Sequence, residues 1–507
     1  MIAYTKSFIP LGFTASLIEI EGDKRHGLPC FNVVGMAAKT ISEARERVKS
    51  ACISSGFKFP SEKLTINLAP ADLTKDGPYL DLPIAVNILI LSGQLNQDSI
   101  EDSAFVGELS LSGELRPVRG IINIAEAAKS SGIKRLFIPI NNFTQASLIS
   151  DIELIPIANL KELYLYLRNQ ITISPLNQIV VKNTEKDSKL PNFDQIYGQE
   201  LAKRALSIAI AGHHNILLSG PPGTGKTMLA KAALGLLPCL CKTEQISVTK
   251  LHSLAGLATD IVRTRPFRTP HHTSSLAALI GGGPKAEPGE ISLASCGVLF
   301  LDELPEYPRS LLESLRQPLE DHQISISRAG RKITYPANFM LIATMNPCPC
   351  GYLGDPNHPC TCNVTQIERY QKKLSGPLLD RIDIFTEVGR IDVSKLLVTP
   401  TSNQSSTNVV KNNITEALVA QSTRYHDSSI FNSSLQAHQI ATKLTLSSKA
   451  KRFLDSAASS LNLSARSYFK VIKVARTIAD LAQSPDIKLD HLTEALSFRY
   501  KPAKNAL

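Results

Sequence analysis

The stretch Asn215-Ile216-Leu217-Leu218-Ser219-Gly220-Pro221-Pro222-Gly223-Thr224-Gly225-Lys226-Thr227 decides the fold. NILLS is a short apolar run suited to a buried strand, and MLAKAALGLL (228–237), which follows, is rich in helix formers. Between them, Gly220 to Thr227 match GxxxxGK[ST], a pattern that carries meaning only between a strand and a helix. Its glycines let backbone N–H groups wrap a phosphate at the helix N-terminus. Lys226 supplies charge to the terminal phosphates, and the Thr227 hydroxyl can ligate Mg2+. Such a loop predicts an α/β domain with buried parallel strands, and ATP with Mg2+ as its ligands.

Two further runs complete the pattern. GVLFLDE (297–303) ends an apolar strand in Asp302 and Glu303, adjacent carboxylates that can divide the work of supporting Mg2+ and polarising an attacking water. FMLIATMN (339–346) ends in Asn346, whose amide can position that water from a neighbouring strand. Taken singly, a strand ending in Asp-Glu is common surface chemistry and Asn346 reads as a turn residue before Pro347. The order of the three elements along the chain is what joins them.

The 507 residues are too many for one core, and three domains with two linkers are expected. Residues 1–170 alternate strand-like runs such as LTINLAP (64–70) with amphipathic stretches such as NIAEAAKSSG (123–132), an α/β pattern without a phosphate loop. A polar linker at 171–190 runs into VKNTEKDSKLPNFDQ (181–195); the nucleotide domain spans 191–395; a Ser, Thr and Asn rich linker covers 396–413. Residues 414–507 read as helical, with capping Ser and Asp ahead of periodic apolar positions. No long charge-free apolar stretch occurs, and the first residues lack the plan of an export signal, so a cytoplasmic location without a membrane partner is expected. Nine cysteines, four of them crowded between 348 and 362, fit a reducing compartment better than a disulfide framework. Lys and Arg number 55 against 45 Asp and Glu, a formal charge of +10. That balance favours a polyanionic partner through counterion release, although many basic proteins bind nothing specific.

From about 190 to 500 the chain resembles the AAA+ ATPases, on the phosphate loop, the Asp302-Glu303 strand end and the Asn346 strand end. The resemblance implies that Ile196, Tyr197, Gly198 and Gln199 approach adenine and that Asn346 is the first sensor. It also implies that Arg381, in GPLLDRID, is an arginine finger offered to ATP on the next subunit, and that Arg466, in LSARSYFK, is the second sensor on a helical lid. A finger delivered in trans requires oligomerisation, and the resemblance implies a ring hexamer.

Two insertions resemble those of the magnesium-chelatase and minichromosome-maintenance branch. RTRPFRTPHHTSSLAALIGGGPKAEPGE (263–290) reads as an outward loop, and EDHQISISRAGRKITYPANF (320–339) as a β-hairpin tipped by Arg328, Arg331 and Lys332. On a pore hairpin these cations would contact DNA phosphates without reading bases; the alternative is charge placed at an exposed turn for solubility. Cys348, Cys350, Cys360 and Cys362 have the number and proximity to close a tetrahedral Zn2+ site, with His358 a substitute ligand and free thiols the other reading. His213-His214 and His271-His272 read as polar loop positions, and Cys239 and Cys241 as apolar helix-end residues.

FNVVGMAAKTISEARERVKSACISSGFKFPSEKLTINLAPADLTKDGPYLDLPIAV (31–86), with RPFRTPHHT, GEISLASCGVLFLDELPE and MNPCPCG, resembles the YifB/ComM group of magnesium-chelatase-like ATPases, whose N-terminal domain is Lon-protease-like. A Lon-type protease needs a Ser nucleophile and an activating Lys, whereas here Tyr79 follows Asp76-Gly77-Pro78 and Ile122 stands where the Lys belongs. Peptide hydrolysis is therefore not expected. Lys39, Arg45, Arg47 and Lys49 form either a basic DNA-facing patch or a solvated helix face, the second being the preferred reading. The resemblance implies a DNA branch-migration motor acting on single-stranded and branched recombination intermediates during natural transformation, with recombination proteins among its partners. The alternative is a remodelling ATPase, chelatase- or chaperone-like, acting on a protein.

Overall fold

A computed structural model describes residues 1–35, 38–71, 73, 75, 77–173, 191–283, 286–328, 331–390, 407–444 and 446–500. Its centre is a five-stranded parallel sheet. In spatial order the strands are Phe267–Arg268, Val298–Leu301, Met340–Met345, Ile216–Ser219 and Ile384–Glu387. Val298–Leu301 and Met340–Met345 are buried along their whole length, and Ile216 to Leu218 with them, as near-continuous apolar runs with both faces covered must be. Alternate residues serve opposite faces. Ile216, Leu218, Phe300 and Ile342 join one core with the helices Glu200–Gly212, Thr407–Tyr425 and Ala465–Leu481. Leu217, Leu299, Leu301, Leu341 and Ala343 join another with Leu311, Leu312, Leu315 and the Ile324 and Ile326 side of the hairpin.

The hairpin pairs Gln323–Arg328 with Arg331–Pro336, register Arg328↔Arg331, so residues 329 and 330 close it. Those two residues, and the side chains of Arg328 and Arg331, lie outside the described part; Lys332 is exposed. The N-terminal region holds a four-stranded sheet, ordered Ile2–Leu11, Thr14–Arg25, Lys63–Ala69 and Cys30–Val34, and a parallel three-stranded sheet of Ser103–Phe105, Arg135–Pro139 and Glu153–Ile157. The wholly buried helix Asp81–Leu91 packs against the first. This region docks on the ATPase helix Lys242–Leu254. Lys250 Nζ reaches Glu126 Oε2 at 2.6 Å, and Gly120 N donates to Ser253 Oγ at 3.1 Å.

Several expectations need correction. The second linker was expected to run to 413, but a helix starts at Thr407; residues 396–406 and most of the first linker, 174–190, lie outside the described part. The 263–290 insertion is no free loop. Phe267–Arg268 is the edge strand, Phe267 stacks on Phe300 at 5.7 Å, and a helix spans Leu276–Ile280. Two of its arginines are bound within the domain: Arg265 binds Glu244 and the Pro238 and Cys296 carbonyls, and Arg268 binds Glu290 at 2.6 Å. His214 is fully buried, bonding Asp383 at 3.1 Å and Thr477 at 2.9 Å, and His213 stacks on Phe431, so the pair joins sheet to C-terminal helices. Cys239 and Cys241 are exposed.

Of the four cations on Ala38–Ser54, Arg47 is spent on Asp81 (2.8 and 3.2 Å) and Arg45 lies over Phe31. Lys49 is exposed and the Lys39 side chain lies outside the described part. A four-cation DNA patch is therefore not formed. Ile122 is fully buried, and burial pushes the Tyr79 hydroxyl up to about 12, so neither offers a proteolytic nucleophile or base. Among the described residues no helix is long and apolar enough to cross a membrane.

Candidate nucleotide-binding site

Three loops leave the carboxyl ends of three adjacent parallel strands, Ile216–Ser219, Met340–Met345 and Val298–Leu301, where ligands collect in open α/β sheets. The helix begins at Lys226, so its first N–H groups have no intrahelical acceptor and face the loop. Gly223 and Gly225 adopt φ of 78° and 85°, and the space beside each is open, which leaves room for phosphate oxygens.

Lys226 Nζ donates to the carbonyls of Gly220 (2.6 Å) and Pro221 (2.8 Å) and to Asn346 Oδ1 (3.2 Å). Burial lowers its pKa, against the attraction of Asp302 and Glu303. The phosphate-loop lysine and the candidate sensor are thus in direct contact. Thr227 Oγ1 donates to Asp302 Oδ2 at 3.1 Å, bringing the two candidate Mg2+ ligands together. A hydroxyl and a carboxylate oxygen suit a hard cation. Glu303, exposed and at φ 53°, turns away from the strand and is free to meet a water.

Sequence reasoning missed Thr344. Its buried hydroxyl donates to Asp302 Oδ1 and accepts from Glu303 N at 3.0 Å, so it orients both carboxylate residues from the neighbouring strand. The available signal was a hydroxyl inside an otherwise apolar strand. Ile196 is buried, and Gln199 Nε2 donates to Gly389 O at 2.6 Å, next to Val388, whose N–H donates to Ser219 O at 2.7 Å. The 196–199 segment is thereby tied to the flank of the phosphate loop, with Tyr197 half-buried and Gly198 at φ 59°.

Arg381 and Arg466 stand elsewhere. Asn215, at the start of the phosphate-loop strand, donates to Arg381 O at 2.9 Å, which puts Arg381 at the amino end of a four-residue strand, about 13 Å from the loop at ~3.3 Å per residue. Both guanidinium groups hold one carboxylate. Arg381 Nη2 bonds Glu320 Oε2, and Arg466 Nη2 bonds Oε1 at 2.8 Å. They line a cavity of about 600 Å3 with Lys470, Lys473 and Asp383, and no phosphate-loop residue lines it. The structure therefore brings the two arginines to each other and not to their own chain's loop.

The four cysteines expected as a zinc site do converge: their sulfur atoms lie within 4.8 Å of one another. His358 is not among them; its ring packs on Tyr352.

A phosphate loop, paired carboxylates and a polar strand end on neighbouring parallel strands define a P-loop ATPase of the AAA+ type. The comparisons with known proteins agree. Residues 192–396 match the family described as "Magnesium chelatase, subunit ChlI", residues 20–142 match "Subunit ChlI of Mg-chelatase" and residues 404–499 match "Magnesium chelatase, subunit ChlI C-terminal". "Competence protein ComM" of Haemophilus influenzae is 42% identical over 503 residues, 98% of this chain and 97% of that protein. YifB of Salmonella typhimurium is 42% identical over 493 residues, 96% of this chain and 95% of its own. "Magnesium-chelatase 67 kDa subunit" of Heliobacterium mobile is 30% identical over 190 residues, covering 31% of this chain and 28% of that protein. The chain belongs to the YifB/ComM family of magnesium-chelatase-like AAA+ ATPases.

Proposed function

We propose that this ATPase is a hexameric, ring-forming DNA motor that couples ATP hydrolysis to translocation on DNA and to branch migration of recombination intermediates, in natural transformation.

 The reading rests on the hairpin. A two-stranded ribbon, separate from the central sheet and carrying Arg328, Arg331 and Lys332 at and beside its turn, suits a groove for a phosphate backbone on a chain of formal charge +10. The name of the Haemophilus influenzae relative, a competence protein, supports natural transformation as the setting, and a likeness to "DNA replication licensing factor mcm-6" of Caenorhabditis briggsae, 26% identical over 241 residues, 43% of this chain and 26% of that protein, supports a DNA substrate.

In this reading Lys226 exchanges its carbonyl partners and Asn346 for phosphate oxygens, and the first-turn N–H groups hold the rest of the phosphate. Thr227 and Asp302 hold Mg2+, which neutralises phosphate charge when bound. Glu303 polarises the attacking water and Asn346 orients it. Ile196, Tyr197 and Gly198 flank adenine. Arg381 and Arg466, remote from their own loop, serve ATP on the next subunit, which requires a head-to-tail ring; six subunits follow from the family resemblance. The C-terminal helices act as the lid, the N-terminal region is a non-proteolytic Lon-like platform, and the four thiolates add a structural Zn2+ to the cofactors.

The test is steady-state ATP hydrolysis with and without single-stranded, duplex and four-way-junction DNA, with Glu303→Gln as the inactive control. Stimulation by DNA that disappears in the variant supports the motor. A second reading, remodelling of a protein partner, is favoured by the match to a magnesium-chelatase subunit. It predicts indifference to every DNA and stimulation by a protein.

A further inference from the structure

Residues 347–363, PCPCGYLGDPNHPCTCN, form a loop with no regular secondary structure and only Tyr352 and Leu353 as large apolar side chains. A segment this poor in apolar surface cannot hold its own shape by burial. Yet it sits at the nucleotide site. It leaves the Met340–Met345 strand directly after Asn346, and Gly351, at φ 85°, presses against the phosphate loop, where an added Cβ would stand 2.6 Å from Pro222 Cδ. At its base Gln371 Nε2 donates to Pro347 O at 3.3 Å. Farther out, Arg390 Nε stands 2.7 Å from the buried Asp355 carboxylate.

The sulfur atoms have the spacing of a metal shell. Cys348 and Cys350 are 3.3 Å apart, and Cys360 is 3.6 Å from each, while a Zn2+ tetrahedron with bonds of ~2.3 Å has edges of about 3.8 Å. None of the four is in a disulfide. Cys350 N donates to Cys362 Sγ at 3.4 Å. Such an N–H···S bond orients a thiolate and offsets its charge around a metal.

We propose that one Zn2+ on Cys348, Cys350, Cys360 and Cys362 braces the phosphate loop, holding Gly351 against Pro222 and Asn346 beside Lys226, so that nucleotide affinity depends on the metal. The brace rests on the nucleotide-site reading, whereas the metal assignment does not.

The full chain, purified with its thiols reduced and supplied with zinc, should carry one zinc per chain by elemental analysis. Cobalt put in its place should show the bands of a tetrahedral thiolate. Cys360→Ser with Cys362→Ser should lose the metal, and its affinity for a fluorescent ATP analogue should fall at least tenfold. Wild-type protein without zinc, or holding iron and sulfide instead, overturns the proposal, as does a zinc-free variant that binds nucleotide like wild type. If the variant fails to fold, wild-type protein is stripped by a chelator and refilled. Affinity lost and then restored by zinc supports the brace; affinity that ignores stripping overturns it. Wild-type protein that holds zinc but binds no nucleotide refutes the nucleotide-site reading and leaves the metal assignment standing.

Discussion

Thr344→Val keeps the shape of a fully buried side chain and removes only its hydroxyl. That hydroxyl makes one bond to the Asp302 carboxylate and one to the Glu303 N–H. A bond to a charged group contributes about 1.5–3 kcal/mol and a neutral one about 0.5–1.5 kcal/mol, so the two together come to roughly 2–4.5 kcal/mol. Asp302 is only half-buried and keeps Thr227 as a partner, so water recovers part of the loss. With about 1.4–2.8 kcal/mol expressed in the transition state, kcat should fall by ~10- to 100-fold. Nucleotide affinity should stay within about threefold, because Lys226 and the loop N–H groups are untouched, an expectation that follows from separating ground-state from transition-state binding. Thr344→Ser is the counterpart: it keeps the hydroxyl and removes a buried methyl, at a cost of about 1 kcal/mol in stability. Steady-state hydrolysis and denaturant unfolding of both variants separate the two effects. A Val variant with wild-type kcat, or a Ser variant as slow as the Val one, would refute the reasoning.

Arg328, Arg331 and Lys332 changed together to Ala should weaken single-stranded DNA binding and lower the slope of log K against log salt by about 2, at ~0.7 per phosphate contact; a titration at several salt concentrations with an unchanged slope excludes the hairpin as the contact. Glu320→Gln should raise ATPase activity of the assembled protein by about two- to fivefold, since an exposed carboxylate competes for Arg381 and Arg466 with only ~0.5–1 kcal/mol; an unchanged or lower rate shows that Glu320 does not compete. Burial, with repulsion from Arg265, His322 and His214, lowers the His213 pKa to about 3. The unfolded chain then binds the extra proton first, so stability should be complete above about 6.5 and decline as pH falls towards 3. His213→Phe, which can keep the stack on Phe431, should flatten that decline in urea unfolding between pH 5 and 7, and an unaltered slope would assign it to other groups.

The strand ends were legible because each is a short apolar run stopping abruptly in a polar residue, and parallel strands of one sheet deliver their loops to the same edge. Their adjacency was legible for Asp302 and Asn346, whose strands pair in the structure. The hairpin was legible from alternation around a Gly-containing turn. What escaped depends on partners far along the chain. Phe267–Arg268 is a strand only because Val298 and Leu299 lie beside it, and its Pro- and Gly-rich surroundings say loop. His213 and His214 look polar until Phe431, Asp383 and Thr477 arrive from other elements. Glu320 gave no local sign, being a carboxylate in a charged run, and the hydroxyl of Thr344 stood out in its apolar strand without naming Asp302 and Glu303 as its partners.

Glu320 also explains how two features of the chain are joined. It lies in the helix Arg316–Asp321, and the first strand of the hairpin begins at Gln323, so one residue after the helix end separates the arginine-bearing surface from the basic ribbon. His322, at φ 53°, caps that helix and turns the chain between them, and Ala337 N donates to His322 O at 2.8 Å where the ribbon returns. On the other side, Gly12 of the N-terminal hairpin packs so closely on Ile333 that an added Cβ would stand 2.2 Å from its Cγ2. A displacement of Glu320 by a neighbour's nucleotide would therefore be felt at the base of the ribbon, through the helix that launches it and the His322 carbonyl that holds its return. If Arg381 and Arg466 serve a neighbour's nucleotide as proposed, hydrolysis on one subunit would have a short covalent route to the hairpin of the next, which a motor needs and a passive nucleotide-binding scaffold does not.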